Sequence, residues 1–119
     1  MLEVKNMSNK VAEVNLEYGM PTVDTALIKM KNSLITYKMQ GYKAVILIHG
    51  YGASGVGGSI KTAVIRCLRE NSMRGIVRVY VGGDQWFNRK REILDICKDL
   101  KNFERKIASN NGVTVVLLK

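Results

Sequence analysis

The only histidine of the chain, His49, closes an apolar run and is followed at once by Gly50, Tyr51, Gly52, Ala53, Ser54, Gly55, Val56, Gly57, Gly58 and Ser59. An imidazole is the side chain best suited to moving a proton near neutral pH. Glycines leave backbone amides uncovered, so an anion can approach them closely. A helix starting behind them adds unsatisfied N–H groups and partial positive charge at the same point. The pattern points to a phosphate, and it allows two roles for His49. The ring is either a general acid or base at a phosphodiester, or an imidazole bonded to neighbouring backbone that fixes the loop.

Three known loops share parts of this pattern. Gly50, Gly52 and Gly55 fit the G-x-G-x-x-G turn of dinucleotide-binding domains, but that turn is served by an acidic residue about 20 positions on, and Asp84 comes too late. A nucleotide-phosphate loop requires Gly-Lys-Ser/Thr at the helix start, whereas this chain has Gly57-Gly58-Ser59 with Lys61 beyond them. "ILIHGYGAS" is similar to the oxyanion strand of α/β-hydrolases, yet G-x-S-x-G is missing and no second histidine exists to complete a triad. What the three have in common remains: main-chain donors that hold an oxyanion. Gly50, Gly52, Ser54, Gly55, Gly57, Gly58 and Ser59 are therefore candidate phosphate contacts, with Lys61 on the following helix. Tyr51 either stacks on a base or anchors the loop by packing.

The charge balance favours a polyanion. Nineteen Lys and Arg face ten Asp and Glu, a formal net charge of +9. No acidic residue occurs from position 25 to position 69, a span that carries Lys29, Lys31, Lys38, Lys43, Lys61, Arg66 and Arg69. DNA or RNA, including branched or structured forms, is the expected partner. A second cationic run, Arg89, Lys90 and Arg91, offers another phosphate contact or simply a solvated helix start, and Trp86 and Phe87 beside it read as core or hinge packing. Cys67 and Cys97 lack the spacing of a metal or redox pair, so reduced, packed thiols are expected, with no zinc and no disulfide-linked partner. No apolar stretch nears the roughly 18 residues of a membrane span, and the first ten residues lack the apolar middle of a leader. The cytoplasm is the expected compartment, and no membrane partner is expected.

The elements that must position these residues follow from periodicity. A chain of 119 residues fits one domain, here 11 to 119, behind a flexible arm at 1 to 10. A strand is expected over 11 to 18. Pro21 and Asp24 then open a helix carrying Val23, Ala26, Leu27, Met30 and Leu34, which Gly41 stops. Residues 43 to 49 read as a strand buried on both faces. Ile60, Ala63, Val64, Cys67 and Leu68 mark a second helix, 75 to 83 a third strand, 90 to 109 a third helix, and 112 to 118 a closing strand. The β-α-β-α-β-α-β order predicts an α/β fold, with helices packed on a four-stranded mixed or parallel sheet and a ligand site at strand ends.

Two segments, "LEYGMPTVDTAL" (16 to 27) and "LIHGYGASGVGGSIKTAVIRCL" (47 to 68), together with "NGVTVVLL" (111 to 118), resemble the Smr (small MutS-related) domain family. There a strand ending L-D-L-H-G leads into one helix, and a strand ending H-G-x-G-x-G leads into another. The resemblance implies a free-standing, two-layer α/β domain similar to the C-terminal domain of translation initiation factor 3. It also implies nucleic-acid binding and, in some members, endonuclease activity on branched DNA or on RNA. By position Glu17 takes the place of the family aspartate, Gly19 that of the first-motif histidine, and His49, Gly50 and Gly52 match the second motif. His49 and Glu17 are thus the catalytic candidates, with Glu17 orienting the ring or recruiting a divalent metal ion. The missing histidine leaves one imidazole, and glutamate displaces its carboxylate by a methylene, so binding is expected ahead of cleavage. The competing readings are a ribosome-associated or protein-interaction module without chemistry and, behind it, a dinucleotide-binding domain.

Overall fold

The computed structural model describes residues 10 to 50 and 56 to 119. The expected arm before Lys10 and the loop residues Tyr51, Gly52, Ser54 and Gly55 lie outside the described residues. Lys10 itself already joins the fold: its carbonyl accepts from Lys43 N at 3.1 Å and its ammonium lies 5.1 Å from the Tyr42 ring centroid.

Continuous apolar runs form the two central strands, β2 (Ala44–Ile48) and β4 (Val113–Leu118), and both are covered on each face. The flanking strands, β1 (Val11–Asn15) and β3 (Val77–Gly82), mix exposed and buried positions as edge strands do. The order across the sheet is β1-β2-β4-β3, with β1 parallel to β2 and β4 antiparallel to both of its neighbours. Consequently β1, β2 and β3 all point the same way and end along one edge, where β4 begins.

Alternation along the strands divides the core. Val45, Leu47, Val116 and Leu118 face helices α1 (Val23–Met39) and α2 (Val56–Leu68). Ala44, Ile46, Val115 and Leu117 face the opposite side, against α3 (Trp86–Ile96), a 3-10 stretch at Lys98–Phe103 and the short α4 (Glu104–Ile107). The mixed four-stranded sheet with packed helices is the expected one. Helices on both faces, however, make three layers, not two.

Local chemistry sets the element ends. Thr22 caps α1 by accepting from Thr25 N at 3.1 Å, Asp24 sits in its first turn, and Gly41 closes it at φ +84°. Asn15 ends β1 earlier than alternation suggests, because its side-chain oxygen accepts from the N–H groups of Glu17 and Tyr18, each at 2.9 Å, and turns the chain. The third helix differs most from expectation. It starts at Trp86 and breaks at Cys97, whose backbone is extended at φ −140° and ψ 93°. The buried positions Ile93, Cys97, Leu100 and Ile107 keep helix-like spacing, but the chain meets it with a break and a 3-10 turn.

Candidate nucleic-acid interface

His49 follows Val45 and Leu47 as the next inward position on the α1/α2 side of β2, and its ring is wholly buried. The Gly50 carbonyl lies 2.7 Å from Nδ1 and can only accept, so Nδ1 carries the proton. That leaves Nε2 to accept from the Thr114 hydroxyl at 2.8 Å. Burial holds the imidazole below its ordinary pKa, the bond to Gly50 opposes this, and the positive charge of Lys61 adds to it, so the neutral ring is favoured. Both nitrogens are committed inside the chain. Of the two roles open to His49, this geometry matches the ring that fixes the strand end.

Gly50 is held in place by the same strand end. Its N–H and that of His49 share the Gly112 carbonyl, at 3.0 and 2.9 Å, and its φ of +75° is a conformation that disfavours any side chain. A Cβ there would also run into the Glu17 carboxylate. Glu17 and Gly50 are therefore neighbours just beyond the ends of β1 and β2, with Leu16 N bonded to the Ile48 carbonyl at 2.7 Å beneath them, but Glu17 is not the group that orients the His49 ring. The carboxylate lies over Gly50, whereas the ring nitrogens turn to Gly50 O and Thr114. Among the described residues no three His, Cys, Asp or Glu side chains cluster closely enough to hold a metal ion. A single glutamate does not make a divalent-metal site.

The start of α2 carries the other part of the expected site. Gly57, Gly58 and Ser59 belong to its first turn, where backbone N–H groups have no intrahelical partner, so they act as helix start rather than as loop. No acidic residue occupies that turn, and Thr62 Oγ1 donates to the Gly58 carbonyl at 3.0 Å. A shallow depression lined by Val23, Gly58, Ser59, Thr62, Ala63 and Arg66 runs between the starts of α1 and α2. It continues along α2 past Lys61, Ile65 and Arg69. Five of the seven cations of the acid-free span lie in this layer: α1 and α2 carry Lys29, Lys31, Lys38, Lys61 and Arg66 against Asp24 alone. Half of the ten acids, Asp84, Glu92, Asp95, Asp99 and Glu104, lie in the segment that covers the other face.

That other face also carries Arg89, Lys90 and Arg91, so the structure does not bring them beside Lys61. Arg89 is bonded to Glu92 at 2.9 Å and to the Tyr80 carbonyl at 3.1 Å, and Lys90 pairs with Glu104 at 2.7 Å over the Phe87 ring. Arg91 is exposed. Trp86 is buried and donates from Nε1 to Glu104 at 2.6 Å, in keeping with a core role. Cys67 and Cys97 are free, buried thiols in separate core halves, each raised in pKa first by burial. No helix among the described residues is long and apolar enough to cross a membrane. Sequence reasoning missed Thr114. Its one signal is a hydroxyl inside "GVTVVLL", a run otherwise apolar.

Comparison with protein-family models and with curated proteins gives no match. Among solved structures, the chain is similar to the Smr domain of Thermus thermophilus MutS2, at a TM-score of 0.58 and 22% identity. The match covers 91% of this chain and 98% of that domain, so the two share one fold over most of their lengths.

Proposed function

We propose that the protein is a nucleic-acid-binding module of Smr type, in which the start of α2 holds a backbone phosphate and the α1/α2 layer guides the strand away from it. The observation that carries this reading is the convergence of a glycine-containing helix start and an almost acid-free helical layer at one edge of the sheet. The Smr fold supports it. His49 serves as the internal brace of the strand end that presents this helix, and Glu17 stands beside it at the mouth. Binding rather than strand scission is the activity this geometry favours, since the only imidazole has no nitrogen turned to a ligand.

Titration of labelled oligonucleotides across a salt series tests the proposal. The logarithm of the binding constant should fall linearly with the logarithm of salt, by about 0.7 to 0.9 per phosphate neutralised. Lys61→Gln and Arg66→Gln should each weaken binding and reduce that slope by roughly one contact. Salt-insensitive binding, or none in dilute buffer, rejects the proposal. The same mixtures incubated with magnesium test cleavage: scission that His49→Ala abolishes would return the ring to chemistry.

A further inference from the structure

Beyond Glu17 the chain turns at the end of β1 and holds two large apolar side chains in solvent: Tyr18 is 82% exposed and Met20 80%. Single exposed apolar residues are ordinary. These two, however, ride on a backbone fixed by several bonds. The Asn15 side chain accepts from Glu17 N and Tyr18 N, and Met20 N donates to the Glu17 carbonyl at 3.1 Å. Gly19 and Met20 are both left-handed, at φ +80° and +52°. A methionine is uncommon in that region, and such residues persist where surrounding structure holds them, often at binding sites.

The turn also sits in the right company. Glu17 joins it to Gly50, and the Lys29 ammonium donates to the Asn15 carbonyl at 2.7 Å, setting a positive charge at its base. An exposed aromatic ring carried on a fixed turn, at the margin of a phosphate-binding surface, suits the flat face of an unpaired base. A duplex keeps its base faces stacked inside and offers them only at its two ends. The geometry points to Tyr18 as a base-stacking residue, with Met20 beside it, that selects single-stranded segments of nucleic acid. This inference rests on the phosphate-binding reading above and adds a ligand class to it.

The test compares the wild-type chain, Tyr18→Ala and Tyr18→Phe by fluorescence anisotropy at low salt. The probes are a labelled single strand of about 12 nucleotides, as DNA and as RNA, and a blunt duplex of the same length, within the usual range of single-strand sites. Wild type should bind the single strand more tightly than the duplex. Tyr18→Ala should weaken single-strand binding about tenfold while leaving the duplex within about twofold, and Tyr18→Phe should behave as wild type. Because Tyr18 is exposed, thermal unfolding of the variants should match wild type, which separates a binding defect from a folding one. Equal loss on both probes, or no loss on either, overturns the stacking role and leaves phosphate binding standing. A wild-type chain that binds neither probe overturns phosphate binding itself.

Discussion

Replacing Thr114 by valine isolates the brace on His49, because the two side chains have nearly the same shape and differ in the hydroxyl. In the native chain that hydroxyl donates to Nε2, while Nδ1 is already committed to Gly50. Thr114→Val therefore leaves a buried nitrogen acceptor without a partner in a site where both residues have no exposed surface. An orphaned buried polar group costs about 1–3 kcal/mol. For a domain of this size, with a sensitivity of roughly 4 °C per kcal/mol, the melting temperature should fall by about 4–12 °C. In a His49→Phe background the same substitution removes no bond, so it should be close to neutral, and the cycle should give a coupling of at least about 1 kcal/mol. Urea unfolding followed through Trp86, the single tryptophan and fully buried, supplies the readout. A Thr114→Val chain within about 0.5 kcal/mol of wild type, or strictly additive changes, would refute the brace.

The buried imidazole also predicts a pH dependence of stability. Its folded pKa lies below the unfolded value, first because burial disfavours the charged ring, so the unfolded chain binds a proton more readily. Stability should be fully present above the unfolded value of about 6.5 and decline as the pH falls from there toward the lower folded value. Because His49 is the only histidine, His49→Phe should flatten the profile between about pH 5.5 and 7; an unchanged slope in the variant would assign it elsewhere. On the opposite side of the sheet, a methyl group on Gly83 would meet the backbone carbonyls of Asn110 and Ile107, which cannot swing aside as a side chain would. Gly83→Ala should lower stability by about 1–3 kcal/mol, read as a shifted urea midpoint, and a wild-type midpoint would contradict that packing.

Most of the scaffold was legible because its signals are local. The run that forms β2 is apolar at every position and that of β4 at every position but Thr114, and the α1 stripe of Ala26, Met30 and Leu34 repeats with helical spacing between a cap and a glycine. The spacing predicts one helix over 90 to 109, since Ile93, Cys97, Leu100 and Ile107 satisfy helical spacing whether or not the chain breaks at Cys97. The layer count was not legible at all. Which face each helix covers depends on how strands are ordered, and β4, last in sequence, inserts between β2 and β3.

The site divides along the same line. Gly50 and Glu17 could be placed together from the parallel strand ends that carry them. The role of His49 could not be, because its deciding partner, Thr114, lies 65 residues away and enters only when β4 pairs with β2. Once that pairing is made, the glycine motif, the histidine and the closing strand form one object. The Gly112 carbonyl accepts from the amides of His49 and Gly50, the Thr114 hydroxyl donates to Nε2 of the ring, and Nδ1 of the ring donates to the Gly50 carbonyl. Burial and the charge of Lys61 both keep that ring neutral, so the cations that would attract a polynucleotide also favour the form of histidine that holds the strand end together. The only imidazole of the chain thus has a structural role at the strand end, and proton transfer is not needed to explain why it is there.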